Sequence, residues 1–201
     1  MILAKKCIYI SSSLLLFLLL ASCGEANQIK ITEFTRNEKA LLEVTADQYF
    51  SATLTGLTDE VYYIGLYAEH YENGKLLTKY GGGADLNLLR EKKDVKGLRA
   101  IFILEEDVSA MPGATVIKMG LNNNRGVATK GTERIEGNEY FEHVENASGT
   151  VPKSITIGEP VLIGCTMKDS EEIEISGEVT HSNIEELINH DEAILYYVMA
   201  N

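Results

Sequence analysis

This sequence predicts a mostly β chain, folded as an antiparallel two-sheet sandwich of immunoglobulin-like type with one or two short helices. Three observations carry that expectation. Short apolar-alternating segments follow one another at close spacing. Gly, Pro, Asn and Asp punctuate them at turn positions. One pair of segments is joined by Asn73-Gly74, both of which tolerate the positive φ that a type I′ hairpin turn demands. The chain has no Trp, so the immunoglobulin marker of a Trp beside paired Cys is missing. The assignment therefore rests on pattern alone.

Taken in order, Ile29, Ile31 and Phe34 mark a first strand, and Ala40–Ala46 suits either strand or helix. Phe50–Leu57 reads as a strand ending at Gly56. Val61–Glu72 is the clearest strand of all: Tyr62, Ile64, Leu66 and Ala68 fall on one face, and Tyr63, Gly65, Tyr67, Glu69 and Tyr71 on the other. Leu76–Tyr80 returns as its hairpin partner, bringing Tyr80 near the tyrosines. Gly81-Gly82-Gly83 interrupts the pattern, and Asp85 can cap a short helix reaching Lys93. Leu98–Glu105 alternates with Leu98, Ala100, Phe102 and Leu104 inward. Ala114–Leu121 does the same with Ile117, Met119 and Leu121, after a turn at Pro112-Gly113. Residues 122–126 read as a loop, and residues 127–153 are polar and Gly-broken without an assignable element. Ser154–Gly158 and Val161–Met167 are apolar runs separated by Pro160. A turn is expected at residues 168–171, followed by alternation of Ile173 and Ile175 with glutamates. Asn183–Asn189 suits a short capped helix, and Ala193–Ala200 a final strand.

The amino terminus has a different character. Lys5 and Lys6 precede an apolar run whose residues 14–20 are only Leu and Phe, and small residues close it at Ala21-Ser22-Cys23-Gly24. A positive start, an apolar middle and a small-residue end make an export signal. The apolar stretch falls short of the roughly 20 residues of a membrane-spanning helix. Leu20-Ala21-Ser22-Cys23 resembles the lipobox of bacterial lipoproteins. The resemblance covers the first 24 residues. It implies diacylglycerol on the Cys23 thiol, cleavage just before it, and an extracytoplasmic protein anchored to the cell membrane, or to the outer membrane of a Gram-negative cell, since the family's inner-membrane retention Asp is absent at Gly24. Two acyl chains, at about 0.8 kcal/mol per buried CH₂, anchor stably without help from the domain. The expected organisation is a signal peptide at 1–22, a lipidated tether at 23–27 and a single β-rich domain at 28–201.

Lys and Arg number 18 against 30 Asp and Glu; without Lys5 and Lys6 the balance is 16 − 30, or −14. Such a charge argues against nucleic acid as a partner, whose phosphates call for cations, and against electrostatic docking on anionic lipid. It keeps a tethered domain soluble. A chain of this length buries enough surface to fold without disulfides.

Candidate chemistry is sparse. Cys165 alternates with Val161, Ile163 and Met167 and reads as a small core residue. His70, His143, His181 and His190 lack the spacing of zinc ligands and read as surface histidines without a metal. Glu133, Glu136, Glu139, Glu142 and Glu145 recur every third residue, which suits a solvated acidic segment better than a calcium site. The triple glycine lacks the Gly-Lys-Ser/Thr ending of a phosphate loop. No cofactor and no metal is expected. The stripe Tyr63, Tyr67, Tyr71 stands out, because Tyr buries ring area while keeping a polar tip in water and is frequent on binding faces. The expected function is a non-enzymatic binding module at the cell envelope, anchored to the membrane through diacylglycerol, with a protein, peptide or envelope glycan as partner. Two other expectations stand beside it: an envelope hydrolase assembled from distant loops, and a structural or stress-related envelope protein.

Overall fold

The computed structural model describes residues 26–87, 97–106, 114–123, 126–135, 143–149, 151, 154–171 and 179–201. Among these residues ten strands form two five-stranded antiparallel sheets that face each other as a sandwich. In chain order they are β1 (Gln28–Ile31), β2 (Gln48–Thr55), β3 (Tyr63–Glu72), β4 (Lys75–Asp85), β5 (Leu98–Glu106), β6 (Thr115–Asn123), β7 (Gly126–Ile135), β8 (His143–Ser148), β9 (Pro160–Asp169) and β10 (Glu192–Ala200). Sheet 1 runs β1-β2-β5-β6-β7 and sheet 2 runs β4-β3-β10-β9-β8. The expected sandwich forms, with five strands a side where a constant-type immunoglobulin domain carries four and three.

The alternation read from sequence decides which side chains meet between the sheets. Leu98, Ala100, Phe102 and Leu104 of β5 are buried, as are Ile117, Met119 and Leu121 of β6, and Ile64, Leu66 and Ala68 of β3. β10 crosses the middle of sheet 2 between β3 and β9. Its Tyr196 is fully buried and packs on Phe50 and Phe102, with ring centroids 5.0 and 5.5 Å away. The Tyr196 hydroxyl meets Thr166 Oγ1 at 3.2 Å, so the phenol's polar atom does not go unsatisfied in the core.

The Asn73-Gly74 hairpin is as expected, with φ of +47° and +78°. Ala40–Ala46 resolves as helix α1 (Arg36–Thr45). The signal is a capping box: Glu38 N donates to Thr35 Oγ1 at 3.3 Å, and Thr35 N donates to Glu38 Oε2 at 2.7 Å. Near the carboxyl end a 3₁₀ turn at His181–Asn183 leads into helix α2 (Ile184–Leu187). Thr180 caps the 3₁₀ turn through its side chain, and Asn183 stands at the N-cap of α2 without a side-chain bond to it.

Several expectations are corrected. Gly81-Gly82-Gly83 does not break the pattern; the three residues lie inside β4 opposite Tyr67, Leu66 and Gly65. The reason is the neighbouring strand's aromatics. A Cβ at Gly83 would run into the Tyr63 phenol and the Ile64 carbonyl, and one at Gly81 would sit 3.3 Å from Tyr67 Cβ. The unassigned stretch 127–153 contains most of β7 and all of β8, both at sheet edges, where one face and one edge meet solvent and apolar alternation is weak. Strands run into the expected loop at 122–126 and into the expected turn at 168–171. Ile173, Ile175 and the reach of the helix expected after Asp85 lie outside the described residues. Among the described residues no helix is long and apolar enough to cross a membrane.

Both sheets start from one end. There Asn27 N donates to Gly56 O, Ile155 N to Asn27 O, Tyr62 N to Asn201 O and Gly158 N to Ala200 O. This entry end lies opposite the Asn73-Gly74 hairpin, whose Gly74 N donates to Ile188 O at 2.8 Å.

Candidate functional site

The outer face of sheet 2 carries the tyrosine stripe. Because β3 alternates, Tyr63, Tyr67 and Tyr71 all leave the sandwich on that side, but their surroundings differ. Tyr67 is buried at 7% exposure. Its ring stacks on Tyr197 of β10 at 5.0 Å and 16°. Lys79 Nζ of β4 sits 3.6 Å above the same ring, a cation–π contact. Lys79 Nζ also lies 3.0 Å from Glu69 Oε1, and Tyr71 Oη donates to Glu69 Oε2 at 2.9 Å. Tyr71 and Tyr63 are half-buried. Tyr63 lies along the bare backbone of Gly83 and Gly65. Tyr80 is not part of this face: it sits opposite Ala68 and packs inward against the core.

Burial, with the nearby Glu69 carboxylate second, pushes the Tyr67 phenol up to about 12. Burial and then the hydrogen bond to Glu69 push Tyr71 to about 12 as well. Tyr197 is raised further, mainly by burial. All three phenols are therefore neutral hydrogen-bonding groups across the physiological range. The face offers half-open rings at its two ends, with a Lys–Glu pair between them, and among the described residues no metal ligand set.

Half of this face is roofed. The chain at 179–188 lays Val179, Leu187, Ile184 and Ile188 over Leu195, Met167 and Leu162, and His181 meets Tyr197 edge-on at 6.0 Å. Cys165 belongs to this second cluster and is fully buried. Of the neighbours the alternation predicts, Met167 is beside it, but Val161 and Ile163 are not. A bulge where β9 meets Tyr196 and Tyr197 inverts the parity of the strand. Val161 and Ile163 face the inter-sheet core, while Cys165 and Met167 face out under the roof. A one-residue slip exchanges the two faces of a strand, and alternation counted across it misplaces everything beyond.

Two of the histidines, His70 and His190, are less exposed than a surface reading expects. His70 is buried at 7% exposure, with Nε2 3.1 Å from Glu192 Oε1, though off the line of a straight hydrogen bond. Lys168 Nζ lies 3.2 Å from Glu192 Oε2. Burial pushes the Glu192 carboxyl up, but His70 and Lys168 together outweigh it and hold the group below its ordinary value. His190 Nδ1 contacts Asp169 Oδ2 at 2.6 Å. His181 is exposed, and the side chain of His143 lies outside the described residues. Of the repeating glutamates, Glu133 on β7 is half-buried and the other four side chains lie outside the described residues. Among the described residues no group of three His, Cys, Asp or Glu is placed to hold a metal ion. The His70–Glu192–Lys168 cluster is not legible in the sequence, because His70 on β3 lies far along the chain from Lys168 on β9 and Glu192 on β10. It joins a histidine to a carboxylate, as a hydrolase would, but inside the sandwich, and acts as a strut between β3, β9 and β10.

A concavity lies on the outer face of sheet 1. Ile101 and Ile103 floor a depression of about 370 Å³ bordered by Lys118, Lys130 and Thr132. Lys118 is salt-bridged to Glu105. Further along this face Arg99 lies 4.4 Å over the Phe34 ring and reaches Glu38 Oε1 at 2.7 Å, closing α1 onto the sheet.

Residues 28–200 match the model of the YgaN domain family. The chain is 29% identical over 184 residues to the uncharacterized protein YgaN of Bacillus subtilis strain 168, covering 90% of this chain and 98% of that protein. No solved structure matches.

Proposed function

This chain belongs to the YgaN domain family, and from that premise we propose that it is an extracytoplasmic lipoprotein, anchored to a membrane by diacylglycerol on Cys23, whose sandwich is a non-enzymatic binding module. The observation that carries this is the leader: a positive start, an apolar run and Leu20-Ala21-Ser22-Cys23. The family match begins at residue 28, five positions beyond that cysteine. Gly24, Glu25 and Ala26 separate Cys23 from Asn27, which is held at the entry end by Gly56 and by Thr58 N donating to Asn27 Oδ1 at 2.9 Å. At ~3.3–3.6 Å per extended residue, the link reaches only about 15 Å. The entry end then lies beside the bilayer, the strands rise from it, and the tyrosine face looks sideways.

Changing Cys23→Ala is expected to abolish incorporation of a labelled fatty acid into the chain and to leave it unprocessed or released from membranes. A variant that still takes up the label overturns the anchoring.

The partner is a protein, a peptide or an envelope glycan, and the contact lies at Tyr63 and Tyr71, whose rings are half-open, with Lys79 and Glu69 between them. Tyr67 is the packed layer beneath and supports the others. Replacing both Tyr63 and Tyr71 by Ala is expected to weaken capture of the partner from intact cells roughly tenfold or more, as loss of aromatic anchors does. Unchanged capture by a folded double variant removes this face as the contact.

A further inference from the structure

We propose that β4 pairs edge to edge with β4 of a second copy of this chain, antiparallel and centred on Gly82, so that two sandwiches share one continuous sheet. The inference is independent of the lipid anchor, and it shares only Lys79 with the tyrosine face.

β4 is an edge strand of eleven residues, exposed over most of its length. Its hydrogen-bonding direction follows from one bond. Leu86 N donates to Tyr62 O at 2.8 Å, and the same register continues as Ile64 opposite Ala84 and Leu66 opposite Gly82. In an antiparallel ladder bonded and non-bonded pairs alternate. The even-numbered residues of β4 from Thr78 onward therefore bond to β3, while Lys79, Gly81, Gly83 and Asp85 turn their N–H and C=O groups outward. Among the described residues no strand receives them.

Proteins blunt such edges because a row of unpaired backbone groups is a template for another strand. The other edges here are blunted. β1 has four residues, and β8 passes into the bridge between Gly149 and Val179. β7 presents Lys130 and Arg134 on one face, so pairing with itself about Thr132 would set these like charges against each other.

β4 is self-complementary instead. About a two-fold axis at Gly82, each Lys79 stands across from the second copy's Asp85, on the same face, and each Gly81 across from Gly83. Opposite charges meet at both ends, and no side chain obstructs the middle. All four outward residues of each strand find partners, about eight hydrogen bonds in total. The bulge at Leu77, between the pairs His70–Thr78 and Tyr71–Leu76, ends the regular stretch. It confines pairing to the segment from Thr78 to Leu86 and so selects this register.

The test uses the full-length chain in the cells that make it. A Cβ at Gly82 meets nothing within 4 Å, so Gly82→Cys is tolerated by the fold. On the axis its Cα lies about 4.5 Å from its counterpart, within disulfide reach. Mild oxidation is expected to give a covalent dimer in roughly tenfold higher yield than Gly131→Cys, a position equally open whose thiols meet only by collision. The unsubstituted chain gives the background from its own cysteines. A yield no higher than the Gly131→Cys control overturns the proposal, as does a cross-link from Gly82→Cys to a different protein, which would assign the edge to a foreign strand. Independently of any disulfide, the chain extracted in detergent is expected to have the mass of a dimer by light scattering. Asp85→Lys is expected to be monomeric, since it sets Lys against Lys79, and adding Lys79→Asp to it is expected to restore the dimer. A monomeric unsubstituted chain overturns the proposal.

Discussion

Tyr196→Ala is expected to destabilise the sandwich by about 3–5 kcal/mol, the range for truncating a large buried aromatic. The side chain is fully buried in a central strand, wedged between Phe50 of β2 and Phe102 of β5, and it links the two sheets at their middle. Truncation removes the ring contacts, opens a cavity that two packed sheets cannot close, and strips Thr166 Oγ1 of its hydroxyl partner. At roughly 2–4 °C per kcal/mol for a domain of this size, the melting temperature should fall by about 6–20 °C. Tyr196→Phe keeps the ring and loses only the hydroxyl, so it should cost about 1–2 kcal/mol. Thermal melts of the three chains check this. Equal losses for Ala and Phe would show that the hydroxyl, not the ring, holds the sheets together.

Glu192→Gln is expected to cost about 2–3 kcal/mol at neutral pH, in line with hydrogen bonds to a charged group and the penalty of leaving the Lys168 cation beside a neutral partner. Glu192 stands between His70 Nε2 at 3.1 Å and Lys168 Nζ at 3.2 Å, with little exposure. The sign of its pH dependence is fixed by its depressed pKa. A carboxylate whose folded value lies below its unfolded value contributes stability above the unfolded value, and that contribution drains away as pH falls through the folded one. With an ordinary value of 4.5, the unsubstituted chain should begin to lose this contribution below that pH. The Gln variant never has it, so the two stability curves should converge in acid and separate towards neutrality. Denaturant titrations at a series of pH values measure both. Parallel curves across the acid range would show that Glu192 acts only through its shape.

Where one face is buried and the other wet, the sequence shows it. β3, β5 and β6 alternate cleanly, and their inward residues are those expected, because a period of two is enforced by the core. The Asn73-Gly74 turn is legible for a local reason, its two positive φ angles. α1 was also legible in principle, since Thr35 and Glu38 spell a capping box, yet its weakly apolar body, with Leu41 and Val44 exposed, hides the helical period. Other features are set by partners distant in sequence. The glycines of β4 look like a break until the tyrosines of β3 are laid across them. The bulge in β9 leaves no mark in composition, so alternation puts Cys165 and Met167 on one face with Val161 and Ile163, which the structure separates. The Tyr67–Tyr197 stack and the His70–Glu192 contact each need strands more than a hundred residues apart in number to meet, which only the topology supplies. The stripe itself was found by alternation, but alternation cannot tell the packed Tyr67 from the half-open Tyr63 and Tyr71.

The way the chain enters β1 has a mechanical consequence. Gln28 pairs with Thr55, and Ile31 with Ala52, so β1 runs away from the entry end antiparallel to β2. A pull on the amino-terminal link draws β1 along its own axis. Its rungs with β2 are then loaded in shear, all together, rather than peeled open one at a time. A domain tied at that point and tugged from the opposite sheet meets the force with its strongest geometry, even though the strand that bears it is the shortest of the described ones.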